Sequence, residues 1–386
     1  MHHSSHQKSL VLPGDPKNWR LVNQTDHSFL HNMIHRFRGC LLASACGDAL
    51  GYAVEFSSLS SIHRKYGKNG IMEMDLQDGK AQISDDTQMS IYTAQGLIHA
   101  KQTGCNYHGM LMEIYKSYMR WARWQLGSIS ASKEGLFTLE EVEEDDLAQD
   151  PKNQALKKNR APGNTCLCSL SSGYHGSRDR SLNNSKGCGG IMRVAPIAIA
   201  YCHDPENGYR MGCDSALLTH CHTLGYTSSG ALVSILIKLF NGRSIQDAVL
   251  ESIRELKKIS ECSELASVME RAVSTAYQRI EAPDAFSFLG EGWVGEETLA
   301  IAIWAALMYP TDLKKAVVAS VNHSGDSDST GAVCGAIMGA ALGEEAIPAS
   351  WLEHLELKDL VCKQAEELCT MYVLSPVCWD SRGIVD

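Results

Sequence analysis

The sequence predicts an all-α protein, and two observations support that prediction. Apolar residues recur at spacings of three and four along most of the chain, beginning with Leu30, Ile34, Phe37 and Leu41, which is the periodicity of an amphipathic helix. Alternating apolar and polar residues, the pattern of a strand, form no convincing run. Because about a dozen helices are too many for one four-helix core, we expect a compact multi-helix domain.

Two of the helical stretches are apolar almost all round. They read "EETLAIAIWAALMY" from residue 296 and "GAVCGAIMGAALG" from residue 331. A helix without a polar face is buried on every side, so both are predicted to lie inside the domain. The small residues of the second stretch allow another helix to approach closely.

The domain is predicted to span residues 29–386 and to follow an N-terminal extension, residues 1–28. The extension is polar, rich in His and Ser, and contains Pro13 and Pro16. Trp19 and the apolar residues 10–12 exceed what a free tail needs, so two interpretations stay open: a flexible tail, or a segment that docks on its own domain or on a partner. Near residues 136–162, an acidic run passes into a basic one, which predicts a solvated surface insertion.

Composition limits the class of protein. The 386 residues carry 35 Lys and Arg against 45 Asp and Glu, a net charge of −10, which does not suit a general nucleic-acid binder. The 14 cysteines include no C-x-x-C pair, so reduced, buried thiols are expected. The start of the chain lacks the apolar core of a signal peptide, and no run approaches the roughly 18 apolar residues of a membrane span. We therefore expect a cytoplasmic protein with neither nucleic acid nor membrane as a partner.

Two clusters of acids and hydroxyls each precede a helical stretch. Helix capping explains part of each cluster, because one short polar side chain satisfies the first N–H groups of a helix. It does not explain the excess, and buried carboxylates without compensation are costly. If the two helix starts meet, hard divalent cations would neutralise them and give a two-metal centre. The clusters comprise Ser84, Asp85, Asp86, Asp326, Asp328, Ser329 and Thr330.

Three further segments carry weaker signals. "GDALGYAVE" places Asp48 and Glu55 at the end of the first helix, where a surface acid at a helix terminus is the simpler interpretation. The glycine-rich segment 187–190 stands before a helical stretch and could offer N–H groups to phosphate, but it matches no Walker motif, and taken alone it is more simply a tight turn. His220 and His222 are two positions apart and would face different ways on a helix, so one of them is a candidate ligand contact.

The motifs "GDALGYAVE", "SDDTQM", "GCGGIMRVAPIAIA" and "GDSDSTGAVCGAIMGA" together resemble the ADP-ribosylglycohydrolase family, including the dinitrogenase-reductase-activating glycohydrolases. The resemblance covers about residues 36–374. It implies an all-α orthogonal bundle, two Mg²⁺ ions in a central cleft, and removal of ADP-ribose from modified protein side chains.

The resemblance also assigns roles to single positions of this sequence. It places the metal ligands at the starts of the two acidic helices, with Ser329 where threonine is commoner, and Glu55 beside the metals. The loop from residue 187 to 190 would contact ADP-ribose, and His220 would lie near the ligand. In full, the implied metal ligands are Ser84, Asp85, Asp86, Asp326, Asp328 and Ser329, and the implied substrate contacts are Glu55, Gly187, Cys188, Gly189, Gly190 and His220.

A mechanism follows from these roles on physical grounds. Cleavage at C1″ of the ribose passes through an oxocarbenium-like state, and the attacking water must lose a proton to a carboxylate. Asp328 and Glu55 are both candidates for that base, and the sequence does not choose between them. A departing guanidine needs a proton, for which Asp85, Asp86 or Glu55 is the expected source.

Several functions stay open at this stage. Arginine-linked ADP-ribose is the favoured substrate, while serine-linked and ester-linked ADP-ribose are alternatives. The same centre could act on a phosphoester or a free ADP-ribose derivative, or the chain could be a non-catalytic member of the family, as the jellyfish-lens crystallins are. In addition to catalysis, residues 1–28 could bind and block an ADP-ribosyltransferase.

Overall fold

The computed structural model describes residues 27–127 and 144–374, and within those ranges it is built almost entirely of helices. The α-helices are α1 His27–Tyr52, α2 Leu59–Tyr66, α3 Asp85–Gln102, α4 Tyr107–Leu126, α5 Asp146–Gln149, α6 Asn164–Ser171, α7 Ala195–Ala200, α8 Pro205–Leu217, α9 Thr223–Phe240, α10 Ile245–Leu256, α11 Ser263–Tyr277, α12 Phe286–Leu289, α13 Gly295–Met308, α14 Leu313–Val321, α15 Ser327–Leu342, α16 Ala349–His354 and α17 Lys358–Leu368.

Shorter elements complete the described chain. Single 3₁₀ turns are formed by Cys188–Gly190, Ser260–Cys262 and Glu344–Ala346, a longer kinked 3₁₀ segment by Pro151–Lys157, and a π-helical turn by Cys369–Leu374. In the described ranges, regular strand is limited to β1 Leu76–Gln77 and β2 Lys80–Ala81, which pair antiparallel. The prediction of an all-α fold is confirmed.

The centre of the domain is formed by α9, α13 and α15. The helices α13 and α15 are buried along nearly their whole length, as their apolar sequences predict. The helix α9 is long and apolar enough to cross a membrane by composition, contrary to the expectation that no such segment exists, but 94% of it is buried inside the protein. Its apolar surface is therefore covered by the other helices of the domain.

The helices α1 and α15 run antiparallel and pack backbone to backbone. A Cβ atom on Gly39 would lie 2.7 Å from the carbonyl oxygen of Gly339, and one on Gly47 would lie 2.0 Å from that of Gly331. Side chains at these positions would separate the helices, so glycine is what permits the contact. As a result, the C-terminal end of α1 lies beside the N-terminal end of α15.

The stretch predicted to be a solvated insertion differs from that expectation where the structure describes it, from residue 144 onward. Ala148 and Leu156 are buried, and the buried Asp145 accepts a hydrogen bond of 2.8 Å from the indole of Trp124. The side-chain amide of Gln88 donates to the carbonyl of Ala155 at 2.8 Å. This part packs against α3 and α4, because sparse apolar residues and backbone carbonyls there find buried partners. Residues 136–143 lie outside the described residues.

The predicted N-terminal extension also lies outside them, except for residues 27 and 28, which belong to α1. The interpretation of residues 1–28 as a docking segment therefore stays a prediction.

Candidate active site

Three helix ends meet at one place, and Asp48 holds two of them together. The two carboxylate oxygens of this residue of α1 accept hydrogen bonds from the backbone N–H of Ser84 at 3.0 and 3.1 Å. One of them also accepts from the N–H of Thr87 at 3.1 Å and from its hydroxyl. Asp48 is completely buried, so it is not the surface acid that the sequence suggested. It fixes the start of α3 against the end of α1.

Both acidic clusters cap the helices that follow them. The hydroxyl of Ser84 accepts from the N–H of Asp86 at 3.1 Å. At α15, Asp326 accepts from the N–H of Ser329 at 3.3 Å, and Asp328 accepts from the same group at 3.0 Å. Capping uses only part of this set of oxygen atoms, so the excess noted in the sequence is real.

The remaining oxygens converge. Glu55, Asp326 and Asp328 each offer one ligand oxygen, and these atoms all lie within 4.8 Å of one another. Among the described residues, Glu55 Oε2, Asp86 Oδ2 and the hydroxyl of Ser327 are buried without a hydrogen-bond partner. Orphaned buried oxygens around a carboxylate cluster are what a hard divalent cation would satisfy. The donor set therefore fits a metal site.

Electrostatics leads to the same conclusion. Burial, followed by the charge of Asp328, raises the pKa of both Asp85 and Asp86 well above the usual value for aspartate. Burial, Asp328 and Asp85 raise the pKa of Glu55 to about 10. Burial and Asp326 raise the pKa of Asp328 as well. The protein alone does not stabilise this set of negative charges, whereas a bound cation would.

The start of α3 is also held by the segment that precedes α6, through hydrogen bonds to Asp85. Asp85 accepts a hydrogen bond of 3.2 Å from the N–H of Gly163, and its own N–H donates to the carbonyl of Arg160 at 3.1 Å. Arg160 is buried and pairs with Glu356 at 3.3 Å. Arg160 and Gly163 were not predicted as part of the site, because their segment reads as polar and solvated in the sequence.

The glycine segment 187–190 lies against the acidic centre. The thiol of Cys188 donates to Asp326 at 2.6 Å, and the N–H of Cys188 donates to the carbonyl of Trp293 at 3.3 Å. The N–H of Gly187 donates to the hydroxyl of Ser185 at 3.3 Å. The segment forms one 3₁₀ turn, and the helix α7 begins only at residue 195. The predicted helix start is therefore corrected, and the N–H groups of residues 187 and 188 already have partners inside the protein.

His220 faces this segment and has a fixed arrangement. A Cβ atom on Gly189 would lie 3.2 Å from its Nε2, and one on Gly187 would lie 3.4 Å away. Its Nδ1 is 2.8 Å from the hydroxyl of Thr219, which accepts from the guanidinium of Arg193 at 2.7 Å. Burial, and then the charge of Arg193, lower the pKa of His220 to about 3. The ring is therefore neutral at physiological pH.

An aromatic pair completes the rim and was also missed in the sequence. The rings of Phe56 and Trp293 are stacked, with centroids 5.6 Å apart and planes at 24°. Phe56 directly follows Glu55, so the motif "GDALGYAVE" extends to the rim. Trp293 is brought there by the loop before α13, and nothing in its sequence indicates that position.

An all-α domain with a buried carboxylate centre that fits a divalent cation, next to a glycine turn, has the features of a metal-dependent hydrolase. The family model described as ADP-ribosylglycohydrolase matches residues 30–376, and the chain belongs to that family. The resemblance inferred from the four motifs is confirmed. The members of this family are metal-dependent hydrolases that act on ADP-ribosylated proteins, so the chain is an enzyme of the glycohydrolase class.

Relatives that are named for their activities align with most of the chain. The ADP-ribosylhydrolase ARH3 of Danio rerio is 27% identical over 89% of this chain and 92% of its own length. The ADP-ribosyl-[dinitrogen reductase] glycohydrolase of Rhodospirillum rubrum is 26% identical over 84% of this chain and 91% of its own. The ADP-ribosylarginine hydrolase Tri1 of Serratia proteamaculans is 24% identical over 88% and 80%.

Among solved structures, a chain titled "ADP-ribosylglycohydrolase-related protein complex" aligns with a TM-score of 0.60. It is 24% identical, and the alignment covers 89% of this chain and 99% of that one. This likeness supports the fold.

Proposed function

We propose that the chain is a Mg²⁺-dependent hydrolase that releases ADP-ribose from modified protein side chains, with arginine as the preferred linkage. The observation that carries the proposal is the meeting of the two acidic helix starts with Glu55 at the end of α1. Glu55 and Asp326, which are 326 − 55 = 271 positions apart in the chain, offer oxygens within 4.8 Å of each other, and helix capping alone gives no reason for that.

The residues divide into those that hold cations and those that handle protons. Ser84, Asp85 and Asp86 from the start of α3, with Asp326, Asp328 and Ser329 from the start of α15, would hold two Mg²⁺ ions. When bound, these ions supply positive charge that favours a deprotonated water and fixes the ribose hydroxyls. Asp326 and Asp328 are buried and cap α15, and Asp85 accepts from the N–H of Gly163, so little reorganisation of these carboxylates is needed on binding.

Glu55 is the best placed of the candidates to move a proton. Asp328 is 2% exposed and its Oδ1 accepts the N–H of Ser329. Glu55 is half-buried, outside the helix caps, and one of its oxygens has no hydrogen-bond partner in the described chain. In the proposed reaction, water oxygen attacks C1″, its proton passes to a carboxylate, and the bond from C1″ to the guanidine nitrogen breaks. That nitrogen takes up a proton, for which Glu55 is the source.

ADP-ribose would extend from the acidic centre towards the glycine turn. The ribose bearing the scissile bond lies at the carboxylates in this arrangement, and the diphosphate lies towards residues 187–190. The hydroxyl of Thr219 accepts from Arg193 and lies 2.8 Å from Nδ1 of His220; with that hydroxyl donating to Nδ1, the neutral imidazole would carry its proton on Nε2 and donate from there. A neutral donor suits a site whose ligand is anionic and whose metals already carry the positive charge.

The preference for arginine over serine is supported by the likeness to the ADP-ribosylarginine hydrolase of Serratia and to the dinitrogen-reductase glycohydrolase. Serine-linked and ester-linked ADP-ribose are the alternatives. The test is release of ADP-ribose from one carrier peptide modified on arginine or on serine, in Mg²⁺ or in EDTA. The proposal expects Mg²⁺-dependent release from arginine, at least ten times faster than from serine. Release from serine alone would keep the site and overturn the linkage.

Single-residue variants in the same assay distinguish loss of a catalytic or metal-binding group from a general effect of substitution. Asp328→Asn and Glu55→Gln should each reduce the rate by a factor of about 10² or more, as expected for loss of a metal ligand or a general acid–base group. Asp179→Asn replaces an exposed carboxylate and should keep the wild-type rate. Release of AMP or phosphate in place of ADP-ribose would indicate phosphoester chemistry, and no release from any substrate would favour a non-catalytic role.

The binding of an ADP-ribosyltransferase by residues 1–28 stays a prediction from the sequence. Its test is deletion of these residues, followed by measurement of binding to a purified transferase and of the hydrolase rate. Loss of binding with an unchanged rate is expected, and unchanged binding would contradict the prediction.

A further inference from the structure

The stacked pair of Phe56 and Trp293 is exposed although both side chains are aromatic. Phe56 is 69% exposed and Trp293 is 40% exposed. The backbone of Phe56 also has a φ of +60°, in the left-handed region that residues other than glycine seldom adopt. A strained backbone and an exposed aromatic ring both cost free energy, and such costs concentrate where a binding surface is held in place.

The loop that carries Trp293 is fastened to both halves of the site. The carbonyl of Trp293 accepts from the N–H of Cys188 at 3.3 Å, and the carbonyl of Glu291 accepts from the N–H of Asp326 at 3.0 Å. Gly292 has a φ of +83°, and a Cβ atom there would lie 2.7 Å from the methyl group of Thr330. The indole ring is therefore held at a set position between the glycine turn and the start of α15.

The ring of Phe56 is held on the acidic side. It follows Glu55 directly, and the oxygen that Glu55 offers lies within 4.8 Å of those of Asp326 and Asp328. Phe56 is therefore next in the chain to an acid of the carboxylate centre, and its side chain is exposed. In the proposed binding mode, the diphosphate lies towards the glycine turn, so the group attached to C1″ leaves at the carboxylate end. Phe56 follows Glu55 at that end, and Trp293 stacks on it from the loop between the glycine turn and the start of α15.

We propose that the exposed face of this pair binds the guanidinium of the ADP-ribosylated arginine and so determines the linkage that the enzyme prefers. This inference rests on the proposed function and specifies it. A guanidinium is flat, cationic and weakly hydrated, and it stacks on aromatic faces, most strongly on tryptophan. A serine oxygen offers the pair neither a charge nor a flat surface. The nearby carboxylates add attraction for a cation.

The adenine ring is the other flat group of the substrate that could stack on the pair. The affinity of the enzyme for the product, free ADP-ribose, distinguishes stacking on adenine from stacking on the guanidinium. If the pair stacked on adenine, free ADP-ribose would lose affinity when the pair is removed. If the pair stacks on the guanidinium, free ADP-ribose, which lacks that group, would bind as before.

The experiment compares Trp293→Ala, Phe56→Ala and Trp293→Phe with wild type and with Tyr277→Ala. Tyr277 is 54% exposed on α11 and serves as a matched control for loss of a surface aromatic ring. Two quantities are measured: kcat/KM on an arginine-linked peptide with Mg²⁺, and the Kd of free ADP-ribose. Unfolding midpoints show whether each variant is folded.

The inference expects kcat/KM to fall roughly 5- to 30-fold in both alanine variants, the size of a cation–π contact that is partly desolvated. Trp293→Phe should lose less than Trp293→Ala, Tyr277→Ala should lose nothing, and the Kd of ADP-ribose should stay within a factor of two. An equal loss of ADP-ribose affinity, or unchanged kcat/KM, would overturn it. If wild type itself releases nothing from arginine, the proposed linkage fails and the inference fails with it. If wild type is active and the variants match it, only the inference fails.

Discussion

Gly51 of α1 packs directly on Ser327 at the start of α15, where a Cβ atom on Gly51 would lie 2.1 Å from the carbonyl oxygen of Ser327. Four residues after Gly51 comes Glu55, and on either side of Ser327 stand Asp326 and Asp328. The contact therefore sets the separation between the acid of the first helix and the acids of the last. The packing of two buried helices and the geometry of the site are one feature of the fold.

Gly51→Ala tests this coupling. The new methyl group must separate α1 from α15, because the atoms it meets are backbone, and overpacking of this kind costs about 1–3 kcal/mol or more. We expect a lower free energy of unfolding in urea together with weaker binding of Mn²⁺ as a Mg²⁺ substitute. Gly109→Ala in α4 meets only the Cys105 side chain at 3.0 Å and the Asn106 cap, and should change neither by much. A Gly51→Ala protein with wild-type stability and metal affinity would show that the contact does not set the site.

Asp328→Asn should have opposite effects with and without metal. Burial and neighbouring carboxylates raise the pKa of Asp328, so its charge at pH 7.5 destabilises the metal-free fold. In EDTA, the variant should unfold at the same temperature as wild type or higher. In Mg²⁺, wild type should gain stability by ligand binding, and the variant should gain much less. Asparagine keeps an oxygen that can accept from the N–H of Ser329, so a variant less stable than wild type in EDTA would contradict a destabilising charge at Asp328.

Asp48→Ala should destabilise the start of α3. The substitution leaves three donors without a partner: the N–H groups of Ser84 and Thr87 and the hydroxyl of Thr87. Unsatisfied buried donors cost about 1–3 kcal/mol each, so we expect a loss of roughly 3 kcal/mol in urea unfolding. Asp48→Asn keeps one acceptor oxygen and should lose less. Equal stability of Asp48→Ala and wild type would contradict the role assigned to this residue.

His220 gives a pH dependence with a definite sign. Its pKa falls from 6.5 to about 3 in the folded protein, so below pH 6.5 the unfolded chain takes up a proton that the folded chain does not. The free energy of unfolding should therefore fall by about 1.4 kcal/mol per pH unit from this group between about pH 6 and 3. His220→Gln should show a shallower fall from pH 7 to 4.5, and the exposed His108→Gln should follow wild type. Parallel curves for wild type and His220→Gln would contradict a neutral, buried ring.

Much of the fold and part of the site could be predicted, because both depend on local patterns. Periodicity gives the helices, and an excess of acids over the needs of a cap indicates the two ends that meet. The structure brings Glu55, Asp326 and Asp328 together. It also shows the charge of Asp328 acting on Asp85 and Asp86.

The burial of individual polar residues could not be predicted from the sequence. Asp48 reads as a surface acid and is fully buried, and Arg160 and Gly163 read as a solvated segment and support Asp85. Trp293 lies at the rim through a loop whose position depends on contacts with residues over a hundred positions away. Glycines repeat every four residues in parts of both α1 and α15, and this spacing indicates close helix packing. Close packing was predicted for α15 but not for α1.

The central claim is that both acidic helix starts ligate the same metal centre. Anomalous diffraction at the manganese edge, from crystals grown with Mn²⁺ and ADP-ribose, tests it directly. We expect two anomalous peaks in one cleft, bonded to carboxylates from the start of α3 and from the start of α15. Peaks at only one of the two helix starts, or none within reach of Asp85, Asp86, Asp326 and Asp328, would contradict it.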